Sequence, residues 1–410
     1  MTGPLSIVQI NAVDEGGGAA AVSTAMMCGY RARGHRVHQF VGRKRTRNPD
    51  VERTDGSVLL RLADRFPGRG LGLVARAARG VRRPESLRTW WLGLEDFDFP
   101  STAGLLDRCP TPPDIVHAHN LHGGYFDLRA LAAISVRVPT LVTLHDMWMF
   151  TGHCAHARGC DGWRSGCPTC PDLDAYPAIR RDGASRNWER KRRIFAQSRV
   201  HVATPSEWLR ERVAASMLMP AVKSLRVIPN GVDTRRFRPA DRQDARRALN
   251  LPPEQPVVML TAGIGRSMWK DARMIEEATR LLAQNASAPL TFLPAGESPP
   301  MELRYQAADV YLHASLADSG PLAVLEAMAS GAVVIATDVG GIGEQVQDGV
   351  TGALVPAGQP SRMAEAADAL LRDEPRRRAM ADAAVARVRA QFSIDGQVEA
   401  YLACYQEMLQ

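Results

Sequence analysis

The sequence predicts an α/β protein built as two doubly wound domains, and three observations carry that expectation. Short apolar, strand-like runs alternate with helical patterns along nearly the whole chain, as a parallel sheet assembled from β-α-β units requires. The alternation restarts after a turn-rich stretch, "PNGVDTRRFRPAD" at 229–241, which is the best domain boundary. The chain has 410 residues, more than one ordinary core holds and suited to two domains of roughly 200 residues each.

The first domain opens on "LSIVQINAV", a strand, followed by the loop "DEGGGAA" and a helix to about Arg33. "HRVHQFVG", "DIVHAHN" and "TLVTLHD" are further strands, the last two ending in polar tips. Ligands of such sheets gather beyond the carboxyl ends of the strands. Gly16, Gly17, Gly18, His119, His122, His145 and Asp146 all fall at such ends. The three glycines precede a helix N-terminus and let backbone approach a ligand closely. They do not form G-x-G-x-x-G, so a dinucleotide fingerprint is absent. Beyond the boundary, "VVMLTAG", "LTFLPAG", "DVYLHAS", "AVVIAT" and "GALVPAG" read as strands and "RMIEEATRLLAQ" as a helix. The expected domains are 1–228 and 229–392, with an amphipathic last helix in 393–410 packing back on the first.

A composition 45% hydrophobic and 23% charged is that of a soluble globular chain. No run reaches the roughly 18 to 20 apolar residues of a membrane span. The N-terminus lacks the charged region of a signal peptide, so the expected location is cytoplasmic. The net charge of +7 is uneven: residues 1–230 hold 33 Lys and Arg against 21 Asp and Glu, so the whole surplus lies there. Basic surfaces attract phosphorylated ligands, anionic membranes or nucleic acid. No nucleic-acid-binding motif accompanies the charge, and no nucleic-acid partner is expected. Residues 57–94 interleave Leu and Val with Arg61, Arg65, Arg69, Arg76, Arg79, Arg82, Arg83 and Arg88, and carry Trp90-Trp91 near their end. That pattern suits the anionic surface of a membrane; a solvated basic face over a core helix is the alternative.

The chemistry-bearing stretch of the second domain is "ADSGPLAVLEAMASGAVVIATDVGG", residues 317–341. Gly320-Pro321 reads as a helix start and Gly331 as its stop. Asp318 then sits just before a helix N-terminus, where free N–H groups favour anions, and Glu326 lies further inside. This arrangement suits a polyhydroxylated, phosphorylated ligand, or simply an ordinary strand-loop-helix unit. Upstream, Arg266 and Lys270 in "GRSMWKDA" offer two cations to a phosphate, or are a solvated helix start. Separately, Cys154, Cys160, Cys167 and Cys170 follow the spacing C-x5-C-x6-C-x2-C. In a reducing compartment that cluster points to a structural four-thiolate zinc site rather than to disulfides. His153 and His156 are possible substitute ligands, and unmetallated thiols are the alternative. Cys28, Cys109 and Cys404 read as isolated packing residues.

Seven segments carry a family resemblance: "NAVDEGGGAA", "DIVHAHNLHGGYFDL", "TLHDMWMFTGHC", "ATPSEWL", "VIPNGVDTRRFRP", "QAADVYLHAS" and "LEAMASGAVVIATDVGGIGEQVQDGVTGALV". In this order and spacing the chain resembles the family-4 retaining glycosyltransferases of GT-B fold, in the branch of colanic-acid and other exopolysaccharide transferases. The resemblance implies two Rossmann-like domains facing across a cleft, the first on the acceptor side and the second binding a nucleotide-diphosphate sugar. It maps the family's E-x7-E motif onto Asp318 and Glu326, the first acid contacting the donor sugar and the second the ribose. It assigns Arg266 and Lys270 to the diphosphate; the helix start at Gly320-Pro321 adds the free N–H groups of Leu322 and Ala323, since Pro321 has none. His145 is to face the donor sugar as a catalytic residue beside Asp318 and Glu326, while His119 and His122 shape the acceptor side.

The implied reaction is front-face attack with retention, the leaving phosphate taking the acceptor proton. It uses no side-chain nucleophile, catalytic metal or cofactor. The implied acceptor is a glycan or a polyprenyl-linked glycan. Two departures qualify the match. Asp318 is one methylene shorter than the usual Glu, and the interval from Lys270 to Tyr305 lacks a strand-helix unit of roughly 30 residues. A smaller second sheet and a more open base pocket follow. A nucleotide-sugar epimerase of the same architecture and a catalytically silent GT-B subunit are the rival readings.

Overall fold

The structure, a computed structural model, describes residues 3–55, 84–260, 269–286, 288–296 and 300–410. Contacts within the chain divide it into two compact units: Met1–Thr204, Leu209–Val227 and Tyr401–Gln410 form one, Pro205–Trp208 and Ile228–Ala400 the other.

The first unit holds β1 (Ser6–Val13), β2 (Arg36–Arg43), β3 (Val51–Arg53), β4 (Ile115–Ala118), β5 (Thr140–Thr143), β6 (Val200–Thr204) and β7 (Val222–Val227). They form one parallel sheet in the order β3-β2-β1-β4-β5-β6-β7. Sequence reading finds β1, β2, β4 and β5 but passes over the other three. β3 has only three residues, and β7 is half-buried throughout, so neither gives the continuous apolar run of a covered strand. The strand order reverses around β1 and β4, where Ile7 pairs with both Val37 and Ile115. A doubly wound sheet binds its ligands at such a switch point.

The second unit holds β8 (Val257–Leu260), β9 (Thr291–Pro294), β10 (Val310–His313), β11 (Val333–Thr337) and β12 (Gly352–Val355), parallel in the order β12-β11-β10-β8-β9. Five described strands against seven agree with the smaller second sheet expected from the short 270–305 interval. Alternate residues of each strand feed opposite faces. Val257, Met259, Tyr311 and Val334 pack with Leu325 and Met328 on one side. Val258, Leu260, Leu312 and Ile335 pack with Met274 and Met363 on the other.

Two expectations change. The last helix, Ile394–Met408, is divided between the units. Ile394 N–H donates to Val232 C=O at 3.0 Å and Gly231 N–H to Gln397 Oε1 at 3.0 Å, holding the helix start to the second unit. Its end lies in the first, where the Tyr405 hydroxyl meets His117 Nδ1 at 2.7 Å and Tyr30 Oη at 2.9 Å. The helix after Lys270 begins at Ala272, capped by the Asp271 side chain accepting from Met274 N–H, so Lys270 precedes the helix. Arg266 lies outside the described residues.

The basic segment is described only from Pro84, so Arg61 to Arg83 lie outside the described residues. In its described part the helix Pro84–Trp91 leaves Trp90 and Trp91 49% and 45% exposed. The Arg180 guanidinium lies 4.6 Å from both ring centroids, and that of Arg181 4.3 Å from Trp91. Among the described residues no helix is long and apolar enough to cross a membrane.

Asp309 ties the second unit together from the residue before β10. It is 4% exposed, and accepts from Val257 N–H at 2.8 Å, Arg246 Nη2 at 2.6 Å and Arg242 Nη1 at 3.2 Å, with Arg377 Nη2 at 3.6 Å. Removing one member of a buried charge cluster leaves the others uncompensated. Asp309→Ala is therefore expected to destabilise the second unit by about 3–5 kcal/mol, read from the denaturant midpoint of that unit's transition.

Candidate functional site

In the second unit the polar residues emerge where the apolar strands end. β10 runs "VYLH", and its last residue, His313, is fully buried. Lys270 is bridged in antiparallel fashion to Ser315, just past that strand end. Its Nζ lies 3.0 Å from His313 Nε2, 2.9 Å from Ser315 Oγ and 2.9 Å from Asp318 Oδ2. An ammonium has three donors and no acceptor, so His313 Nε2 must accept and His313 Nδ1–H donates to Tyr311 Oη at 2.9 Å. Burial first, then the neighbouring Lys270, holds that imidazole well below its ordinary pKa. The predicted phosphate cation and sugar-binding acid are thus one ion pair.

The segment after Asp318 is held by backbone. Gly341 N–H donates to Asp318 C=O at 3.0 Å, and Asn230 Nδ2 donates to Gly320 C=O at 2.8 Å. Gly340 has φ 61°, and a Cβ there would run into the Asp318 carbonyl oxygen; only glycine meets both demands. The helix Leu322–Ala329 follows, with Pro321 at its N-cap and no side chain capping it. The N–H groups of Leu322 and Ala323 belong to its unbonded first turn. Glu326 sits on the same helix, accepting from Tyr305 Oη at 3.4 Å. Burial pushes this carboxyl up to about 7, only partly opposed by Arg236 and Tyr305. Arg236 is itself paired with Glu302 at 2.8 Å.

In the first unit the expected histidines fall into two groups. His119 Nδ1 and His145 Nε2 are 3.0 Å apart with rings stacked at 5.3 Å. His117, one turn of alternation earlier, has both nitrogens engaged, by Tyr405 Oη and by Thr143 Oγ1 at 2.7 Å each. Burial pushes His117 down to about 3 and His145 down to about 4, and holds His119 well below the usual range. These rings are neutral at neutral pH, able to exchange hydrogen bonds with hydroxyls but not to act as cations. His119 Nε2 is buried without a hydrogen-bond partner among the described residues. His122 belongs instead to Asp146, Nε2 to Oδ2 2.9 Å. Burial alone would raise Asp146, but His122, reinforced by His156 and the Trp148 N–H, draws it below its ordinary value.

The glycines lie apart from the histidine pair in sequence, in the bend and helix start that follow β1, the strand beside β4. Gly16 and Gly17 have φ 87° and 97°, and the helix Gly18–Ala32 starts with no side-chain cap. Asp14 braces this loop by accepting from the N–H groups of Arg45 at 2.7 Å and Thr46 at 2.9 Å.

All seven cysteines are free thiols. Cys154, Cys160, Cys167 and Cys170 line one cavity of about 40 Å³ together with His153. In the conformation described, no three His, Cys, Asp or Glu side chains among the described residues already form a metal-binding group.

Sequence reading missed His313, Ser315, His117 and the Arg236–Glu302 pair. A histidine closing the otherwise apolar "DVYLHAS" was the available signal for the first two. Nothing local marks Arg236 and Glu302, which are far apart in sequence.

Residues 16–236 match the family described as Glycosyltransferase Family 4, and residues 255–387 match Glycosyl transferases group 1. The D-inositol 3-phosphate glycosyltransferase of Nocardia farcinica (strain IFM 10152) is 32% identical over 382 residues, covering 82% of this chain and 78% of that one. The putative colanic acid biosynthesis glycosyl transferase WcaC of Escherichia coli (strain K12) is 34% identical over 131 residues, 30% of this chain and 32% of that one. Among solved structures, Anabaena HepE in complex with UDP superposes with a TM-score of 0.65 at 16% identity, covering 98% of this chain and 100% of that one. That likeness carries the two-domain GT-B fold.

The raised Glu326 carboxyl has a thermodynamic consequence. Its folded pKa lies above its unfolded value, so ionisation costs nothing at acid pH, and the cost grows as pH rises between the two values and is full above the folded one. The stability gap favouring Glu326→Gln is expected to widen by about 2–3 kcal/mol between about pH 4 and about pH 8, as urea midpoints at the two pH values will read.

Proposed function

The chain belongs to glycosyltransferase family 4, and on that premise we propose that it moves a sugar from a nucleotide-diphosphate sugar to a hydroxyl of a glycan or lipid-linked glycan, with retention. The observation that carries this reading is the Lys270–Asp318 pair, 2.9 Å apart, set immediately before the uncapped N-terminus of the helix Leu322–Ala329.

A donor substitutes for each half of that pair. Its diphosphate takes over the Lys270 ammonium and the N–H groups of Leu322 and Ala323, and its sugar hydroxyls bond to the released Asp318 carboxylate. Glu326, titrating near neutrality, both accepts from and donates to the ribose diol. The acceptor O–H attacks the anomeric carbon on the face from which the phosphate departs; the C–O bond to phosphate breaks, and a phosphate oxygen takes the acceptor proton. No side chain serves as nucleophile. The neutral His119–His145 pair contributes hydrogen bonds suited to uncharged hydroxyls.

The relatives' names support two acceptor classes. The colanic acid relative favours a growing surface polysaccharide, and the inositol phosphate relative, matched over most of both chains, favours a phosphorylated polyol as the second reading. Nucleotide release that depends on added acceptor separates either from an epimerase, which needs none, and from a silent subunit, which releases nothing.

Lys270→Ala is expected to weaken nucleotide-diphosphate binding by about 1.5–3 kcal/mol, the scale of a charged hydrogen bond. Asp318→Asn is expected to leave bare-nucleotide affinity close to the parent's while transfer falls sharply. Calorimetry with nucleotide alone, paired with turnover assays, checks the division; equal loss of nucleotide binding in both variants would refute it.

The exposed Trp90 and Trp91 under Arg180 and Arg181 support a place at the inner face of an anionic membrane, where polyprenyl-linked acceptors reside. Each basic side chain near such a surface contributes about 1 kcal/mol. Replacing Arg180 and Arg181 with Gln should lower co-sedimentation with anionic vesicles by on the order of tenfold. Partitioning equal on neutral and anionic vesicles would reject the assignment.

A further inference from the structure

Between the short helical turn Trp148–Phe150 and the helix Ala184–Phe195 the chain runs through 33 residues with one three-residue helical turn, Gly162–Arg164, as its only regular element. A structureless stretch of that length inside a compact unit needs something to hold it. It contributes few apolar anchors, chiefly Trp163, Ala155 and Ala175. Its centre is a small cavity lined in part by Cys154, Cys160, Cys167, Cys170 and His153.

The geometry points to a structural zinc site at this cavity, with Cys154, Cys160, Cys167 and Cys170 as its four thiolate ligands. Three features fit. The cavity of about 40 Å³ has room for a single ion with Zn–S bonds of about 2.3 Å. The backbone is already bent as a ligand knuckle requires: Gly162 N–H points at Cys160 Sγ, 3.4 Å away, and Gly166 and Cys167 have φ 102° and 49°. Outer partners are in place too. His153 Nδ1–H donates to Pro177 C=O at 2.9 Å, which leaves Nε2, 3.1 Å from Cys170 Sγ, to accept the thiol proton that zinc would displace. Such outer-shell partners orient ligands. Since no ready group of three ligands is formed as the side chains stand, closing the shell requires the thiols to turn about χ1 into the cavity.

The site is structural because four protein ligands leave no open position. What it would fix is Tyr176, whose ring lies 5.6 Å from His122. Ala155 links the cysteine segment to both sides, donating its N–H to Tyr176 C=O at 2.6 Å and accepting from Met147 N–H at 2.7 Å.

The test uses the full chain purified without added metal. Elemental analysis should return one zinc per chain, with a loss of that zinc in Cys167→Ser and Cys170→Ser and none in Cys28→Ser. Should those variants fail to fold, the parent protein decides: chelation should lower its Tm and zinc should restore it, and cobalt(II) exchanged into the site should show the absorption of a tetrahedral four-thiolate complex. Absence of zinc, with all four thiols open to a thiol reagent in the native protein, would overturn the proposal. Zinc kept by Cys154→Ser and lost by His153→Ala would overturn the ligand assignment.

Discussion

Parallel strands covered on both faces are built mainly of apolar residues, and the polar groups on which the rest of this structure depends gather where those strands end. Every strand named above is paired in parallel, so every carboxyl end of a sheet points the same way. His117 and His119 at the end of β4, His145 past β5, and His313 and Ser315 past β10 occupy these ends. Each is buried enough to demand a partner. In the first unit His119 and His145 meet each other and His117 takes Tyr405 and Thr143, while His313 turns to Lys270 and Tyr311.

The two units solve the same problem with opposite electrostatics. In the first, desolvation wins: the imidazoles lose their charge and the sheet end becomes a neutral hydrogen-bonding surface. In the second, a full ion pair survives beside an uncapped helix terminus, because Lys270 keeps all three of its donors engaged. A neutral surface suits hydroxyl-bearing ligands, and a cation with free N–H groups suits phosphate. The division of labour is therefore physical before it is functional.

Much of the second unit's site was legible in the sequence. Pro321 announces the helix start, Gly331 its stop, and the two acids, one before that helix and one on it, stand at a spacing independent of tertiary structure. The pairing of Lys270 with Asp318 was not legible, because it depends on the chain returning to the end of β10 after 48 residues. Asp309 was invisible for the same reason: an acid before an apolar run looks ordinary until Arg242, Arg246 and Arg377 arrive from other helices. In the first unit the strand-end histidines could be found, but their partners could not. His119 and His145 read alike and pair, whereas His122 leaves the group for Asp146. A strand as short as Val51–Arg53 gives no periodicity to read, and exists because β2 offers it an edge.

The division of the last helix bears on the order in which this protein comes into being. His117 lies in the middle of the first sheet, yet the hydroxyl bonded to its Nδ1 belongs to Tyr405; Thr143 on β5 likewise waits for Tyr401. Those tyrosines lie 288 and 258 residues downstream of the groups they meet. The first unit's interior polar groups therefore stay unmatched while all of Ile228–Ala400, the bulk of the second unit, is being made. Domains ordinarily fold in the order of their synthesis; here the unit begun first is completed only by residues that follow the other, and a nascent chain that has not yet reached Tyr405 holds an imidazole with no phenol to meet it.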